Sequence, residues 1–250
     1  MLKLQNISKK FGINSADEKV IFEKLDLDIK KGEFVIIVGG NGAGKSTLMN
    51  LISGSVLPDS GKIFIGGKDV TNLPEHKRAK FIGRVFQDPL KGSCPNLTVE
   101  ENLSLAMLRN KKRTLHFGIN KGGRENLKRE LEKLNLGLEN RLHAKMGTLS
   151  GGQRQAITLL MATLVKPKVL LLDEHTAALD PKSSEKVLNL TQKIISDNSI
   201  TTLMITHNLN HAMKLGNRLI VLNSGKIKHD VSGKNKEFLL ENKILNVFQD

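Results

Sequence analysis

The chain has 250 residues, 39% hydrophobic and 26% charged, a globular composition long enough to form a core without disulfides or structural metals. Its single cysteine, Cys94, excludes a disulfide framework and a zinc finger and favours a reducing compartment. The 39 basic and 25 acidic residues give a net charge of +14, which indicates an anionic partner such as a nucleotide, a nucleic acid or a membrane surface.

Three further absences narrow the class of protein. The chain has no Trp and no Tyr, so it is poorly supplied with the rings on which a single-strand nucleic-acid binder stacks bases. No apolar run approaches the roughly 18 residues that a membrane span requires. The opening sequence lacks an apolar core followed by a cleavage site, so we expect no signal peptide.

The first third of the chain predicts strands, then a glycine-rich loop and a helix. Phe34–Val38 is a continuous apolar, branched run, which is typical of a parallel strand buried on both faces. Glycines follow at once, and Lys45–Leu51 predicts a helix. Strand, glycine loop and helix in this order form half of a βαβ unit, so this part of the chain is α/β.

The loop itself fits the pattern G-x-x-x-x-G-K-[ST] from Gly39 to Ser46. Glycines let successive backbone N–H groups point at phosphate oxygens, and the following helix adds its positive end. We therefore expect Lys45 to reach the terminal phosphates of a nucleotide and Ser46 to offer its hydroxyl to Mg²⁺.

The middle of the chain predicts helices inserted into the α/β core, from about residue 88 to about residue 163. Thr98 and Glu101 have the spacing of a capping box, and Leu127, Leu131 and Leu134 have helical spacing. The basic run over residues 109–113 predicts a solvated loop rather than a binding site.

Leu149–Gln153 predicts a second anion site, since Ser150 would cap a helix and the two following glycines give close backbone access. From the residues alone, an ordinary capped helix start is an equally good interpretation.

An acidic pair follows the next buried strand, Val169–Leu172. The strand delivers Asp173 at its carboxyl end, where open α/β sheets bind ligands, and a carboxylate with water suits Mg²⁺. Glu174 can polarise the water that attacks the γ-phosphate of a nucleotide. Together with the glycine loop, this pair indicates a nucleotide hydrolase.

The last third returns to α/β structure. Thr202–Thr206 predicts a further buried strand, and Arg218–Leu222 and Lys226–Ile227 predict a hairpin with its turn at Asn223–Gly225.

These motifs in this order resemble the ATP-binding cassette (ABC) ATPase family, with Leu149–Gln153 as the most specific part. The resemblance covers nearly the whole chain and implies an α/β fold. This fold has a P-loop NTPase (RecA-like) core with an N-terminal antiparallel β part and an inserted helical subdomain. It further implies one ABC ATPase domain over 1–250, with the core at 1–87 and 164–250 and the helical subdomain at 88–163.

The resemblance also implies which residues form the site for ATP and Mg²⁺. The nucleotide-binding residues would be Phe11, Gly39, Gly40, Asn41, Gly42, Ala43, Gly44, Lys45, Ser46, Thr47, Ser150, Gly151, Gly152, Gln153 and Asp180. The residues that hold the metal would be Ser46, Gln87 and Asp173, and those that act in hydrolysis would be Glu174, His207 and Gln87. Phe11 would stack on adenine and His207 would touch the γ-phosphate. Without the resemblance, the residues alone favour a core residue at Phe11 and a structural histidine at His207.

The chain departs from the family's common pattern at Gly40, His175 and Ala178. None of these departures removes a group needed for hydrolysis, so we expect an active ATPase.

The chain has one glycine loop and one signature segment. In the family, the signature of one cassette completes the ATP site of another, which implies a head-to-tail homodimer with ATP at the interface. The other expected partners are a membrane permease and, through it, a substrate-binding protein. We expect no nucleic-acid partner. The expected location is peripheral, at the cytoplasmic face of the cell membrane.

The leading functional prediction is the nucleotide-binding subunit of a bacterial importer. The stretch Asp173–Pro181 is similar to cassettes of certain bacterial importers, some of which are assigned to the transport of aromatic amino acids. The alternative is a soluble ABC ATPase of iron–sulfur cluster assembly or of another process without transport.

Overall fold

The computed structural model describes residues 1–12, 18–111, 121–233 and 235–236, so the last two residues of the basic run lie outside the described residues. The described strands are β1 (Leu2–Phe11), β2 (Lys19–Ile29), β3 (Phe34–Val38), β4 (Ser60–Ile65), β5 (Lys68–Asp69), β6 (Ile82–Val85), β7 (Val169–Asp173), β8 (Thr201–Ile205), β9 (Arg218–Asn223) and β10 (Lys226–Ser232). The described α-helices are α1 (Lys45–Ser53), α2 (Glu75–Arg78), α3 (Val99–Met107), α4 (Lys121–Glu132), α5 (Gly151–Leu164), α6 (Pro181–Asn198) and α7 (Leu209–Lys214). None of these helices is long and apolar enough to cross a membrane.

The described residues form two compact units. The first contains Met1–Ile82, Lys168–Glu174 and the described residues after Asn198, and the second contains Gly83–Pro167 and His175–Asn198. The division of the chain at residues 88 and 163 stays a prediction.

The first unit begins with an antiparallel sheet in the order β2-β1-β4-β5. Leu2 of β1 lies opposite Ile29 of β2 and Ile65 of β4, and all three side chains are fully buried. Side chains of a strand alternate between the two faces, so one face of this sheet packs into the core and the other meets solvent. The expected N-terminal antiparallel part is confirmed.

A second sheet of the first unit contains β10, β9, β3, β8 and β7 in this order. β3 pairs in parallel with β8 and β9, and β8 pairs in parallel with β7. All five residues of β3 are buried, as its continuous apolar run predicts. Because parallel strands end at the same edge of a sheet, the glycine loop after β3, the acidic end of β7 and the segment after β8 come together there.

The second unit is helical around a leucine-rich core contributed by α3, α4, α5 and the segment Leu134–Leu149. The predicted capping box opens α3, with Glu101 N–H donating to Thr98 Oγ1 at 3.2 Å and Thr98 N–H donating to Glu101 Oε2 at 2.7 Å. The helix predicted to include Leu134 ends earlier, at Glu132, although Leu134 is buried. Asn135 has a φ of 53°, a left-handed conformation that ends helices.

Candidate functional site

The glycine loop joins the buried strand β3 to helix α1 through glycines in a left-handed conformation. Gly42 and Gly44 have φ values of 79° and 100°, in the left-handed region that favours glycine. Gly44 is the N-cap of α1 and makes no side-chain hydrogen bond to the first turn, which leaves those N–H donors and the positive helix end to a ligand. A Cβ at Gly39 would lie 2.1 Å from the Leu222 carbonyl oxygen, so the loop also packs closely on β9. This cradle can bind phosphate oxygens.

Lys45 is the first residue of α1 and folds its side chain back over the loop. Its Nζ donates to the carbonyl oxygen of Gly39 at 2.7 Å and to that of Gly40 at 2.8 Å. Burial lowers the pKa of the Lys45 ammonium, whereas the negative charges of Glu174 and Asp173 act in the opposite direction. The ammonium therefore shares one electrostatic site with both carboxylates, where it can contact the phosphates of a nucleotide.

Glu174 lies beside His207 at the carboxyl edge of the parallel sheet. Its N–H donates to the Ile205 carbonyl oxygen at 3.1 Å, and its φ is 43°, a left-handed conformation that costs a non-glycine residue about 1 kcal/mol. Glu174 Oε2 lies 3.2 Å from His207 Nδ1, and the His207 side chain is 62% exposed. A carboxylate held in this way can orient and deprotonate a water molecule.

The oxygen donors near the loop fit a magnesium ion that arrives with a nucleotide. Asp173 ends β7, and the exposed Ser46 lies in the first turn of α1. Mg²⁺ prefers hard oxygen ligands, keeps several waters and binds through one or two carboxylates together with phosphates. The part of the chain that the structure describes holds no group of three or more His, Cys, Asp or Glu suited to a metal. The donor set thus fits a metal shared with phosphates.

Phe11 ends β1 and is 41% exposed, so the interpretation of Phe11 as a core residue is wrong. Lys9 Nζ lies 5.3 Å from the centroid of this ring. An exposed ring is free to stack on a base, and its stacking on adenine stays a prediction.

In the second unit, Ser150 caps α5 through reciprocal hydrogen bonds. Ser150 Oγ accepts from Gln153 N–H, and Gln153 Oε1 accepts from Ser150 N–H, both at 3.3 Å. A Cβ at Gly152 would lie 2.8 Å from Ser183 Cβ, so this glycine allows α5 to approach α6 closely. The capped helix start is confirmed, and the anion site that it would form stays a prediction.

Asp180 and Gln87 also lie close to α5 within the second unit. The Asp180 carboxylate accepts from Ser183 N–H at 3.0 Å, and hydrogen bonds from Ser183 lower the pKa of Asp180. Gln87 is exposed, and the carbonyl oxygen of the preceding Phe86 accepts from Nε2 of the buried Gln155 at 3.1 Å. The second unit therefore brings the predicted signature, Asp180 and the Gln87 segment to one helix.

Sequence reasoning missed two buried polar residues, Gln155 in the second unit and Arg78 in the first. Gln155 holds the carbonyl before Gln87, and Arg78 donates to carbonyls at the end of α1. Neither belongs to a motif, and both lie in polar stretches of sequence. Only burial in the folded chain distinguishes them from exposed neighbours.

The glycine loop, its lysine and the acidic strand end define a P-loop nucleotide-binding protein. The chain belongs to the ABC transporter family, whose family model, described as ABC transporter, matches residues 22–177. It is an ATP-binding ATPase of this family, coupled to transport.

Individual relatives agree with this assignment. A tyrosine transport ATP-binding protein from Clostridioides difficile is 50% identical over 253 residues, covering 100% of this chain and 99% of that protein. A methionine import ATP-binding protein from Oceanobacillus iheyensis is 38% identical over 232 residues, covering 91% of this chain and 65% of the relative. A solved structure of a dimeric ATP-binding cassette, in a post-hydrolysis state bound to ADP and Pi, matches this chain with a TM-score of 0.78 and 30% sequence identity. The match covers 93% of this chain and 98% of the solved chain. The predicted fold, with its P-loop NTPase core, is confirmed.

Proposed function

We propose that this chain is the nucleotide-binding subunit of a membrane importer and that its cargo is an amino acid. The observation that carries the proposal is the 50% identity, over the full chain, to a protein named for tyrosine transport. Relatives named for methionine and for spermidine/putrescine import support import as the direction but differ in cargo. None of these names favours the alternative of a soluble ATPase in iron–sulfur cluster assembly.

In the proposed reaction, the loop from Gly39 to Thr47 binds the phosphates of ATP and Lys45 neutralises their charge. Glu174 takes a proton from water, whose oxygen attacks the γ-phosphorus while the bond to the β-phosphate oxygen breaks. His207, 3.2 Å from Glu174, holds this carboxylate and contacts the γ-phosphate. Phe11 stacks on the adenine.

Ser46 and Asp173 would hold Mg²⁺, and Gln87 is a further predicted ligand. When bound with ATP, the ion neutralises charge on the phosphates and helps to align them.

A second copy of the chain is the proposed partner at the ATP site. Ser150, Gly151, Gly152, Gln153 and Asp180 of one copy would complete the ATP site of the other, in a head-to-tail dimer with two-fold symmetry. The dimeric cassette that resembles this chain supports this arrangement. ATP would then hold the two copies together, and hydrolysis would release them.

Mixing two inactive variants tests this dimer. Lys45→Ala removes the phosphate-binding cation, and Ser150→Asp keeps a good helix cap but adds a negative charge that repels phosphate. Each variant alone is expected to be nearly inactive. An equal mixture is expected to regain about a quarter of the wild-type specific activity, because half of the dimers are mixed and each holds one intact site.

Phosphate release is the measurement, and Ser150→Asn is the control because asparagine also caps helices and adds no charge. A mixture as inactive as its components would contradict the head-to-tail arrangement.

The remaining proposed partners are a permease and, through it, a substrate-binding protein, with the chain held peripherally at the cytoplasmic face of the membrane. Capture of the tagged chain from detergent-solubilised native membranes tests these partners by mass spectrometry. We expect a stoichiometric protein with several membrane spans and no nucleic acid. Recovery of only soluble iron–sulfur assembly proteins would instead favour the alternative function.

A further inference from the structure

A cavity of about 290 Å³ lies beside the glycine loop in the first unit. It is lined by three segments, which are Lys19–Ile21 at the start of β2, Gly40–Ala43 of the loop and the β9–β10 turn at Asn223–Gly225. The phosphate-binding loop of the proposed site is thus one wall of this cavity.

Close backbone contacts fix the walls of the cavity. Gly225 N–H donates to the Ala43 carbonyl oxygen at 3.1 Å, which ties the turn to the loop. A Cβ at Gly225 would lie 1.8 Å from the Ile21 carbonyl oxygen, so the turn also touches the backbone of β2. Gly225 has a φ of 73°, which favours glycine at this position. The start of β2 is therefore held at a defined distance from the loop.

Lys19 directs its ammonium at the loop. Its Nζ lies 3.9 Å from the position that a Cβ would occupy on Gly42, in the middle of the phosphate-binding loop. Lys19 is exposed, and none of the ion pairs recorded among the described residues includes it. In the sheet, Lys19 pairs directly with Phe11, the ring proposed to stack on adenine.

Two cations therefore approach one short loop from different elements. Lys45 contacts the carbonyls of Gly39 and Gly40, and Lys19 reaches Gly42 from β2. Like charges near one another repel, and a polyanion between or beside them relieves this repulsion. Glu174 and Asp173 act on the Lys45 ammonium, whereas no carboxylate pairs with Lys19 in the described part of the chain.

We propose that Lys19 is a further nucleotide-binding residue, which contacts the polyphosphate of the nucleotide from this cavity. The inference rests on the proposed function, since the position of the phosphates is inferred from their proposed binding to the glycine loop. It adds a contact that the loop motif does not contain.

Titration with fluorescent ATP and ADP analogues in the presence of Mg²⁺ tests the proposal. Lys19→Ala is expected to weaken the binding of both nucleotides by about 5- to 20-fold, because a charge-assisted contact to phosphate is lost. The KM for ATP should rise by a similar factor with little change in kcat, since this contact serves binding and not proton transfer. Lys19→Arg should restore most of the affinity.

The matched control is Lys3→Ala, which removes the same charge from an exposed position on β1 and should bind nucleotide as the wild type does. If Lys19→Ala binds ATP and ADP as tightly as Lys3→Ala, the inference about Lys19 is wrong. Failure of the part of the proposed function on which this inference rests, phosphate binding by the glycine loop, has a different signature, because Lys45→Ala would then bind ATP normally.

Discussion

Glu174→Gln is expected to lower ATP turnover by at least about a hundredfold while leaving ATP binding intact. Glutamine has the shape of glutamate, and the backbone bond from residue 174 to the Ile205 carbonyl oxygen does not depend on the side chain. The amide cannot accept a proton from water, so the bound ATP persists. The variant should therefore accumulate as an ATP-bound dimer, which size-exclusion chromatography with Mg²⁺ and ATP would detect beside phosphate-release measurements.

Glu185→Gln is the matched control for this prediction. Glu185 is an exposed carboxylate on α6, and its substitution makes the same change of charge at a residue that is not proposed for the ATP site. It should hydrolyse ATP at the wild-type rate. Turnover of Glu174→Gln at that rate would show that Glu174 is not the general base.

The parts of the site that sequence could predict are local. The loop from Gly39 to Ser46 directly joins a buried strand to a helix, so its motif and its structural context occupy neighbouring positions in the chain. Thr98 and Glu101 form their capping box within one helical turn. Strand β3 is found at its predicted residues because a continuous apolar run suits only an element buried on both faces.

Contacts between residues that are distant in the sequence could not be predicted from sequence patterns. The approach of His207 to Glu174 needs β7 and β8 to be neighbours, and no spacing in the sequence specifies this pairing. At Gly152, a side chain would collide with Ser183, although in the sequence this residue is simply one of two adjacent glycines. The early end of α4 depends on the left-handed Asn135, and asparagine adopts that conformation only in some contexts.

Arg78 likewise makes contacts that its sequence position does not predict. Its substitution has the largest expected effect on stability. Its side chain is fully buried and donates to four carbonyl oxygens from two segments of the first unit. The acceptors are those of Leu51 at 2.6 Å, Ile52 at 3.0 Å, Thr71 at 2.7 Å and Leu73 at 2.7 Å. Because Leu51 and Ile52 lie in the last turn of α1, the cation also lies at the negative end of the helix that starts at Lys45.

Arg78→Met is expected to lower the free energy of unfolding by about 3–5 kcal/mol, because it leaves several buried carbonyls without a donor. Burial lowers the pKa of Arg78 to about 10, with the Asp69 carboxylate acting in the opposite direction, so removing the charge recovers part of its desolvation cost. Urea unfolding followed by circular dichroism measures the loss. Lys77→Met, at the exposed neighbouring position, should change stability by less than about 0.5 kcal/mol. A loss below about 1 kcal/mol for Arg78→Met would mean that water or a local shift satisfies these carbonyls in place of the guanidinium.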